Sequence, residues 1–273
     1  MAVDKLVDST QLDADLTSVA NAIRTKGGTS ADLAFPAGFV SAVEAIPTGG
    51  GGDDRLTLLL SKQLVDLTLT ETTLTTPYTF CSQSNLESVS APNCLTISSS
   101  ATNIFENCPK LASISFPKLY QVSSAAFSKS IVSVVVLPSI EEIFGNAFSR
   151  CASLNIADLG PKVPTHNYSK LINAQYVFQY CTNLNTIILR QETKIAGLSN
   201  INAFGYTPFA SGGSGGTIYI PKALYDHLGD GTSLDYKAAT NWSTANGYGT
   251  ITWAKIEGSQ YENYYADGTP ISS

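Results

Sequence analysis

Two prolines in this chain are followed by the same series of residues. Pro117 leads to Leu119, Val122, Ala126 and Phe127, and Pro138 leads to Ile140, Ile143, Ala147 and Phe148 at identical offsets. Pro92 leads to Cys94, Ile97 and Ala101, then to an insertion before Phe105. A second series follows the phenylalanines. Phe105 precedes Cys108, Leu111, Ile114, Phe116 and Pro117. Phe148 precedes Cys151, Leu154, Ala157, Leu159 and Gly160, and Phe178 precedes Cys181, Leu184, Ile187 and Leu189. The copy beginning at Phe127 reads as two residues short, with Ser130 in the cysteine place and Ile131 in the leucine place. Spacings between these phenylalanines are 22, 21 and 30 residues. A unit of about 22 residues is one coil of a solenoid, a short strand and a return segment. A coil cannot bury its own upper and lower faces, so the copies must stack to fold at all.

The local chemistry fits that unit. In Leu111–Phe116, Ile114 and Phe116 alternate with Ser113 and Ser115, the pattern of a half-buried strand. Proline ends the strand because it cannot donate to a ladder. The next apolar residues turn the chain back beneath the core, and Ala-Phe sends a ring into the stack. Residues 56–74 read as an irregular first cap, with Thr72–Phe80 holding the place of a first Ala-Phe. The longest copy carries PKVPTHNYSKLINA (161–174), which a solenoid projects as a loop. SGGSGG (211–216) reads as a bulge and TIYIP (217–221) as a last strand. Residues 222–273 read as the terminal cap that a solenoid requires, with KALYDHL and SLDYKAATNWSTA helical and ITWAKIEG a strand.

Ahead of the repeat, Leu12, Leu16, Val19 and Ile23 share one helix face. A second helix after Pro36 places Phe39, Val43 and Ile46 on one side. Leu12, Leu16, Val19, Ile23, Phe39 and Val43 are candidates for an attachment or oligomer seam; packing of the two helices on each other explains the same pattern. TGGGGDD (48–54) reads as a flexible linker. The expected organisation is a helical module over 1–47, a linker over 48–54, a solenoid over 55–221 and a cap over 222–273. The expected fold class is mostly β with short helices.

Composition narrows the function. Charged residues make up 14% of the chain, below the ~25% of ordinary soluble domains. With many Ser, Thr and Asn, this reads as the β-rich surface of an extracellular or virion protein. A net charge of -6 without a Lys/Arg cluster argues against nucleic acid. No apolar run approaches the roughly 18 residues of a membrane span. The start, MAVDKLVDSTQLDADL, has acids where a signal peptide is basic and then apolar, so no Sec export signal is expected.

Five cysteines without a CxxC spacing are expected to be free, buried thiols rather than zinc ligands or a disulfide framework. Cys108, Cys151 and Cys181 share their place, three residues after a phenylalanine, with Ser130, so that place asks for a small side chain. His166 and His227 lie in no metal or triad motif, Asp13 and Asp15 lack the rest of a calcium loop, and the glycine runs lack a phosphate-loop lysine. Glu141 and Glu142 read as a solvated pair on a return segment. No catalytic residue, cofactor or metal is expected. The candidate recognition residues are His166, Asn167 and Tyr168 in the insertion, and Tyr206, Tyr261, Tyr264 and Tyr265 in the last quarter. Loops carry function more often than scaffolds, and tyrosine offers a flat apolar face with a hydroxyl. Against this, the preferred reading has Tyr219 packing in the last coil and YENYY as an edge strand or tail.

The half-repeat Ala-Phe-x-x-Cys-x-x-Leu-x-x-Ile-x-Leu-Pro resembles the BspA-type leucine-rich repeat over roughly residues 56–221. The ending, IYIP followed by YKAATNW, is similar to the terminal cap of such proteins in gut bacteria and their phages. The opening, LDADLTSVANAIRTKGG…LAFPAGFVSAVEAI, resembles the short N-terminal module of phage and prophage structural proteins. Together these resemblances imply a non-enzymatic virion protein of tail, baseplate or fibre type, made in the host cytoplasm. Its N-terminal module would dock on other virion proteins, and its repeat would serve as a receptor-binding adhesin for a host cell-surface glycan or protein. Trimeric assembly is the family expectation for such appendages. Two alternatives stay open. One is a bacterial surface or secreted leucine-rich-repeat adhesin, which calls for an export signal or wall anchor. The other is a tail-tip glycan-acting enzyme, which calls for a cleft with paired carboxylates.

Overall fold

The computed structural model describes residues 62–160, 176–192, 194, 201–237 and 249–271. The helical module, the linker, the seam residues Leu12, Leu16, Val19, Ile23, Phe39 and Val43, and the insertion residues His166, Asn167 and Tyr168 lie outside the described residues.

Each coil brings a strand to the same side. β1 (Asp66–Thr68), β3 (Ser88–Ser90) and β5 (Ser113–Ser115) form one parallel sheet. β7 (Val134–Leu137), β9 (Ile156–Leu159), β10 (Thr186–Leu189), β11 (Gly216–Ile220) and β12 (Ile251–Lys255) form another. All pairings in these sheets are parallel, because every coil re-enters in the same direction. Inward residues fall into register: Leu67 with Val89 and Ile114, then Val135 with Ala157, Ile187 and Ile218. Alternate residues face outward, the period-2 consequence of the pleat.

The return segments carry a third sheet. β2 (Thr73–Leu74), β4 (Thr96–Ile97), β6 (Gln121–Val122) and β8 (Glu142–Ile143) pair in parallel. The apolar residues five places after Pro92, Pro117 and Pro138 are thus the inward members of short strands. Two-residue strands leave no alternation to read in a sequence. Thr96 donates to Gln121 at 3.0 Å and Gln121 to Glu142 at 2.7 Å along the outside of this sheet. Glu141 and Glu142 are buried, 4% and 6% exposed, which corrects the expectation of a solvated pair.

Phe80, Phe105, Phe127, Phe148, Phe178 and Phe204 form a continuous ladder with successive ring centroids 5.2, 5.3, 5.4, 5.7 and 5.5 Å apart. Burying one such ring contributes about 1.5–3 kcal/mol, and each offset pair adds about 0.5–1.5 kcal/mol. The turn that inserts the ring has a fixed form. Residues two before and two after the phenylalanine take positive φ: Asn103 and Asn107 (60° and 59°), Ala125 and Lys129 (55° and 63°), Asn146 and Arg150 (59° and 62°). Non-glycine residues visit this region at a cost, so neighbouring coils must hold them there. They do so with backbone hydrogen bonds from coil to coil, such as Phe105 N–H to the Ala126 carbonyl and Phe127 N–H to the Ala147 carbonyl, both 2.8 Å.

The cysteines are free thiols. The Sγ atoms of Cys108, Cys151 and Cys181 donate to the carbonyls of Phe80, Phe127 and Phe148 at 3.2, 3.2 and 3.0 Å. Gln83, Ser130 and Thr207 occupy the same place three residues after Phe80, Phe127 and Phe204, and Thr207 donates to the Phe204 carbonyl at 2.7 Å. Four of these six residues thus donate to a phenylalanine carbonyl, the cysteines to that of the preceding coil and Thr207 to that of its own, a bond that adds to the expected demand for a small side chain. Burial pushes the Cys94 and Cys108 thiols up to about 11, and moves Cys181 upward as well. Thiols this far from the thiolate are poor nucleophiles.

Three further expectations change. Over residues 62–74 the first coil is regular, with β1 and β2 in register with β3 and β4. The Phe127 copy is one residue short, not two: Val132 fills the buried leucine place, while Ile131 is 44% exposed. This shortening has a consequence. β5 and β7 lie side by side but share no ladder, and the outward-facing sheet is split between them. Finally, KALYDHL contributes one helical turn, α1 (Lys222–Tyr225), whereas the described part of SLDYK forms turns. The expected strands in TIYIP and ITWAKIEG are present as β11 and β12.

Candidate functional site

The outward face of the strand sheets changes character along the solenoid. It reads Asp66 and Thr68, Ser88 and Ser90, then Ser113 and Ser115 on the first three strands. From β7 onward it turns apolar, with Val134 and Val136, Ile156, Ile188 and Tyr219. An apolar sheet face needs a cover, and the chain supplies part of one. After β12, residues 256–271 fold back across β11, β10 and β9 as a strap. Ile256 and Tyr261 of the strap, each 8% exposed, pack with Ile188, against Ile156, Tyr219 and Ala266. The Tyr219 and Tyr261 rings meet edge to face at 4.9 Å. Tyr219 therefore faces out of the coil rather than into it.

A buried ion pair fastens the strap. Arg190 Nε and Nη2 donate to Asp158 Oδ1 and Oδ2, both at 2.7 Å, with the two side chains 4% and 1% exposed. The remaining donors reach the strap: Nη1 to the Tyr261 carbonyl and Nη2 to the Tyr264 carbonyl, each at 3.0 Å. The Ala266 N–H donates to Asp158 Oδ2 at 3.0 Å, and the Tyr265 ring lies 4.8 Å from the guanidinium. Burial lifts the Asp158 carboxyl, while Arg190 and the Ala266 amide pull it back. The two short parallel contacts are those of a carboxylate on a guanidinium.

The strap ends in a hairpin. Tyr265 N–H donates to the Thr269 carbonyl at 2.8 Å and Gly268 N–H to the Tyr265 carbonyl at 2.9 Å. The hairpin tip overhangs the split between β5 and β7 and encloses a groove of about 480 Å³. Its walls include Ser113, Ser115, Val134 and Val136 from the sheets, and Tyr265 and Asp267 from the strap.

A second surface lies on the turns after the phenylalanines. Tyr180 and Tyr206 stack at 4.4 Å with planes 5° apart, and the Arg150 guanidinium covers the Tyr180 ring at 4.6 Å. All three residues hold the same positive-φ place, two after their phenylalanine. Tyr206 is 65% exposed, so this ridge ends in an open aromatic ring.

Of the candidate residues that fall in the described part, Tyr265 lines the groove and Tyr206 tops the ridge. Tyr264 is 51% exposed on the strap, whereas Tyr261 is buried between the strap and the sheet. Sequence reasoning missed Asp158, Arg190, Asp267, Arg150 and Tyr180. A signal existed for two of them. Asp158 interrupts the apolar strand IADL and Arg190 directly follows the apolar strand TIIL, places where a lone charge needs a partner. Among the described residues, no group of His, Cys, Asp and Glu is arranged to hold a metal ion. No helix among them is long and apolar enough to cross a membrane.

Comparison with known proteins supports the reading of the repeat. The family described as BspA type leucine rich repeat region matches residues 61–170 and 102–221, in 6 copies. Among solved structures, the chain is similar to a leucine-rich repeat protein from Bacteroides ovatus, with 17% identity and a TM-score of 0.41. That match covers 60% of this chain and 45% of the other, so the chain spans less than half the length of that protein. No curated protein sequence matches significantly. With the family match covering more than half of the chain and one ladder of phenylalanines running from Phe80 to Phe204, the protein belongs to the BspA-type leucine-rich-repeat family.

Proposed function

We propose that this protein is a non-enzymatic adhesion module carried on a phage particle. The repeat presents a rigid recognition face to a cell surface, and the N-terminal module attaches it to other virion proteins. The observation that carries the recognition role is the continuous core. One ladder of buried rings runs through the described coils, so the outward residues are held in fixed relative positions, as a binding face requires. The family's repeats generally mediate protein interactions, which agrees with this reading. Placement on a virion rests on the resemblance of LDADLTSVANAIRTKGG…LAFPAGFVSAVEAI to the modules of phage structural proteins.

The test has two parts. Mass spectrometry of particles purified from the strain that carries the gene should find the chain in the particle. Fluorescently labelled full-length protein should bind intact host cells. Detection on the producer's own surface, with none in particles, would replace the virion reading with that of a bacterial surface adhesin. Failure to bind any cells would remove the adhesion reading itself.

A further inference from the structure

The groove between β5 and β7 has a chemistry that selects its occupant. In a parallel sheet, successive residues turn their backbone groups to opposite neighbours. Ser113 and Ser115 use theirs on β3: Ser113 N–H donates to the Glu87 carbonyl at 3.1 Å, and the Ser115 carbonyl accepts from Ala91 N–H at 2.8 Å. The backbone of Ile114 is therefore turned toward β7. On β7, the Ser133 and Leu137 carbonyls accept from Ile156 and Gly160 of the next coil at 3.3 and 3.0 Å. Val134 and Val136 are therefore turned toward β5. Since β5 and β7 share no ladder, these donors and acceptors border the groove. Ile114 is correspondingly the partly exposed member of its inward row.

The other walls add three elements. The half-buried Val134 and Val136 side chains form an apolar floor. Exposed Ser113 and Ser115 supply hydroxyls. Tyr265 supplies an aromatic wall held against Arg190, and Asp267 a carboxylate at the hairpin tip. One oxygen of Asp267 accepts from Thr269 N–H at 2.9 Å and Thr269 Oγ1 at 2.6 Å; its other oxygen accepts no bond among the described residues. No lysine or arginine lines the groove.

An extended peptide cannot enter as an added strand between the two sheets. That would need about 9.5 Å between strands, two spacings of ~4.8 Å, and Cα atoms of β5 and β7 come within 8 Å. An acidic sugar or a phosphate would meet a carboxylate and no cation. A ligand with an apolar ring face and hydroxyls that both donate and accept satisfies every wall. The volume, about 480 Å³, lies within the usual ~300–1,000 Å³ of small-ligand sites.

We propose that this groove binds a neutral glycan. The sugar ring stacks on Tyr265 and lies over Val134 and Val136, while its hydroxyls bond Asp267, the serines and the strand edges. The proposal rests on the adhesion reading and names the ligand class for it.

The test uses the full chain and a panel of neutral trisaccharides built on glucose, galactose, mannose and N-acetylglucosamine, with a polyuronate as the acidic probe. Binding is followed by saturation-transfer NMR and calorimetry. At least one neutral trisaccharide should bind saturably. Asp267→Ala and the groove-filling Ser115→Trp should each weaken it at least tenfold, and Lys62→Ala, an exposed residue of the first coil that does not line the groove, should leave it unchanged. Both altered side chains are exposed, and unchanged melting curves would show that the variants fold. Binding that survives both groove variants overturns the site, and preference for the polyuronate overturns the ligand class. If cells bind the protein but no neutral sugar does, the glycan proposal falls while the adhesion reading stands.

Discussion

Removing the charge of Asp158 tests the strap directly. Asp158→Asn keeps the shape of the side chain but leaves Arg190, 4% exposed, without a counter-ion. Breaking a buried pair from one side costs about 3–5 kcal/mol, because the remaining charge is stranded away from water. The strap is held to the sheet through Arg190, Asp158 and a small cluster of side chains, whereas the solenoid is held by its own rings. The loss should therefore appear as local opening of residues 256–271. The Ala266 amide, which donates to Asp158, is the natural reporter in hydrogen exchange. At about 1.4 kcal/mol per factor of ten, its exchange should quicken roughly a hundredfold to a few thousandfold. The Phe127 amide, bonded to Ala147 inside the solenoid, should not change. The double variant Asp158→Leu with Arg190→Met should recover part of the loss, since no stranded charge remains. The Tyr261 and Tyr264 carbonyls would still lack their donors, at about 1 kcal/mol each. If Ala266 exchanges no faster in Asp158→Asn, the pair does not hold the strap. If Ala266 and Phe127 quicken together, strap and solenoid open as one unit rather than separately.

Three further outcomes are expected. Phe127→Ala, between two stacked neighbours and fully buried, should cost about 3–5 kcal/mol and lower the melting temperature by roughly 6–20 °C. Phe80→Ala, with one stacked neighbour and 7% exposure, should cost less; equal losses in calorimetry would contradict the ladder. Cys151→Ser keeps a donor for the Phe127 carbonyl and should be nearly neutral by chemical denaturation. Cys151→Ala should lose about 1 kcal/mol, and both should retain cell binding; a binding loss without unfolding would show that the thiol has a chemical role.

Asp235 accepts from the N–H groups of Gly229, Gly231 and Lys237 at 2.9, 3.2 and 2.7 Å. Burial opposes its charge, but these bonds outweigh it and hold the carboxyl below its ordinary value. A carboxyl lowered on folding stabilises the fold above its unfolded pKa, about 3.9, and that support disappears as pH falls through the folded value. Asp235→Asn should therefore flatten the acid limb of a stability–pH curve below about pH 4. An unchanged acid limb would mean that Asp235 does not anchor the cap.

The sequence by itself determined the coil. Phenylalanine, a donor three places on, and alternating apolar residues before a strand stop recur, and no other stacking buries all of them. Gly160, where the copies beginning at Phe80, Phe105 and Phe127 have proline, keeps that stop with a φ of 89°, which glycine adopts readily. The rest belongs to tertiary structure, for identifiable reasons. Lys129, Arg150 and Tyr180 carry no sequence mark of a left-handed backbone; their N–H groups donate to carbonyls of the adjacent coil, which holds them there. The one-residue shortening after Phe127 was visible in part, but whether Ile131 or Val132 turned inward depended on the neighbouring rows. Asp158 and Arg190 stand a full coil apart in sequence and meet because parallel coils superimpose them. The groove needs Asp267 and Tyr265 to return across the sheet to Ser115 and Val134, a distance along the chain that no local pattern spans. Periodicity encodes what each coil shares with its neighbours; the site is built where one coil departs from the rest.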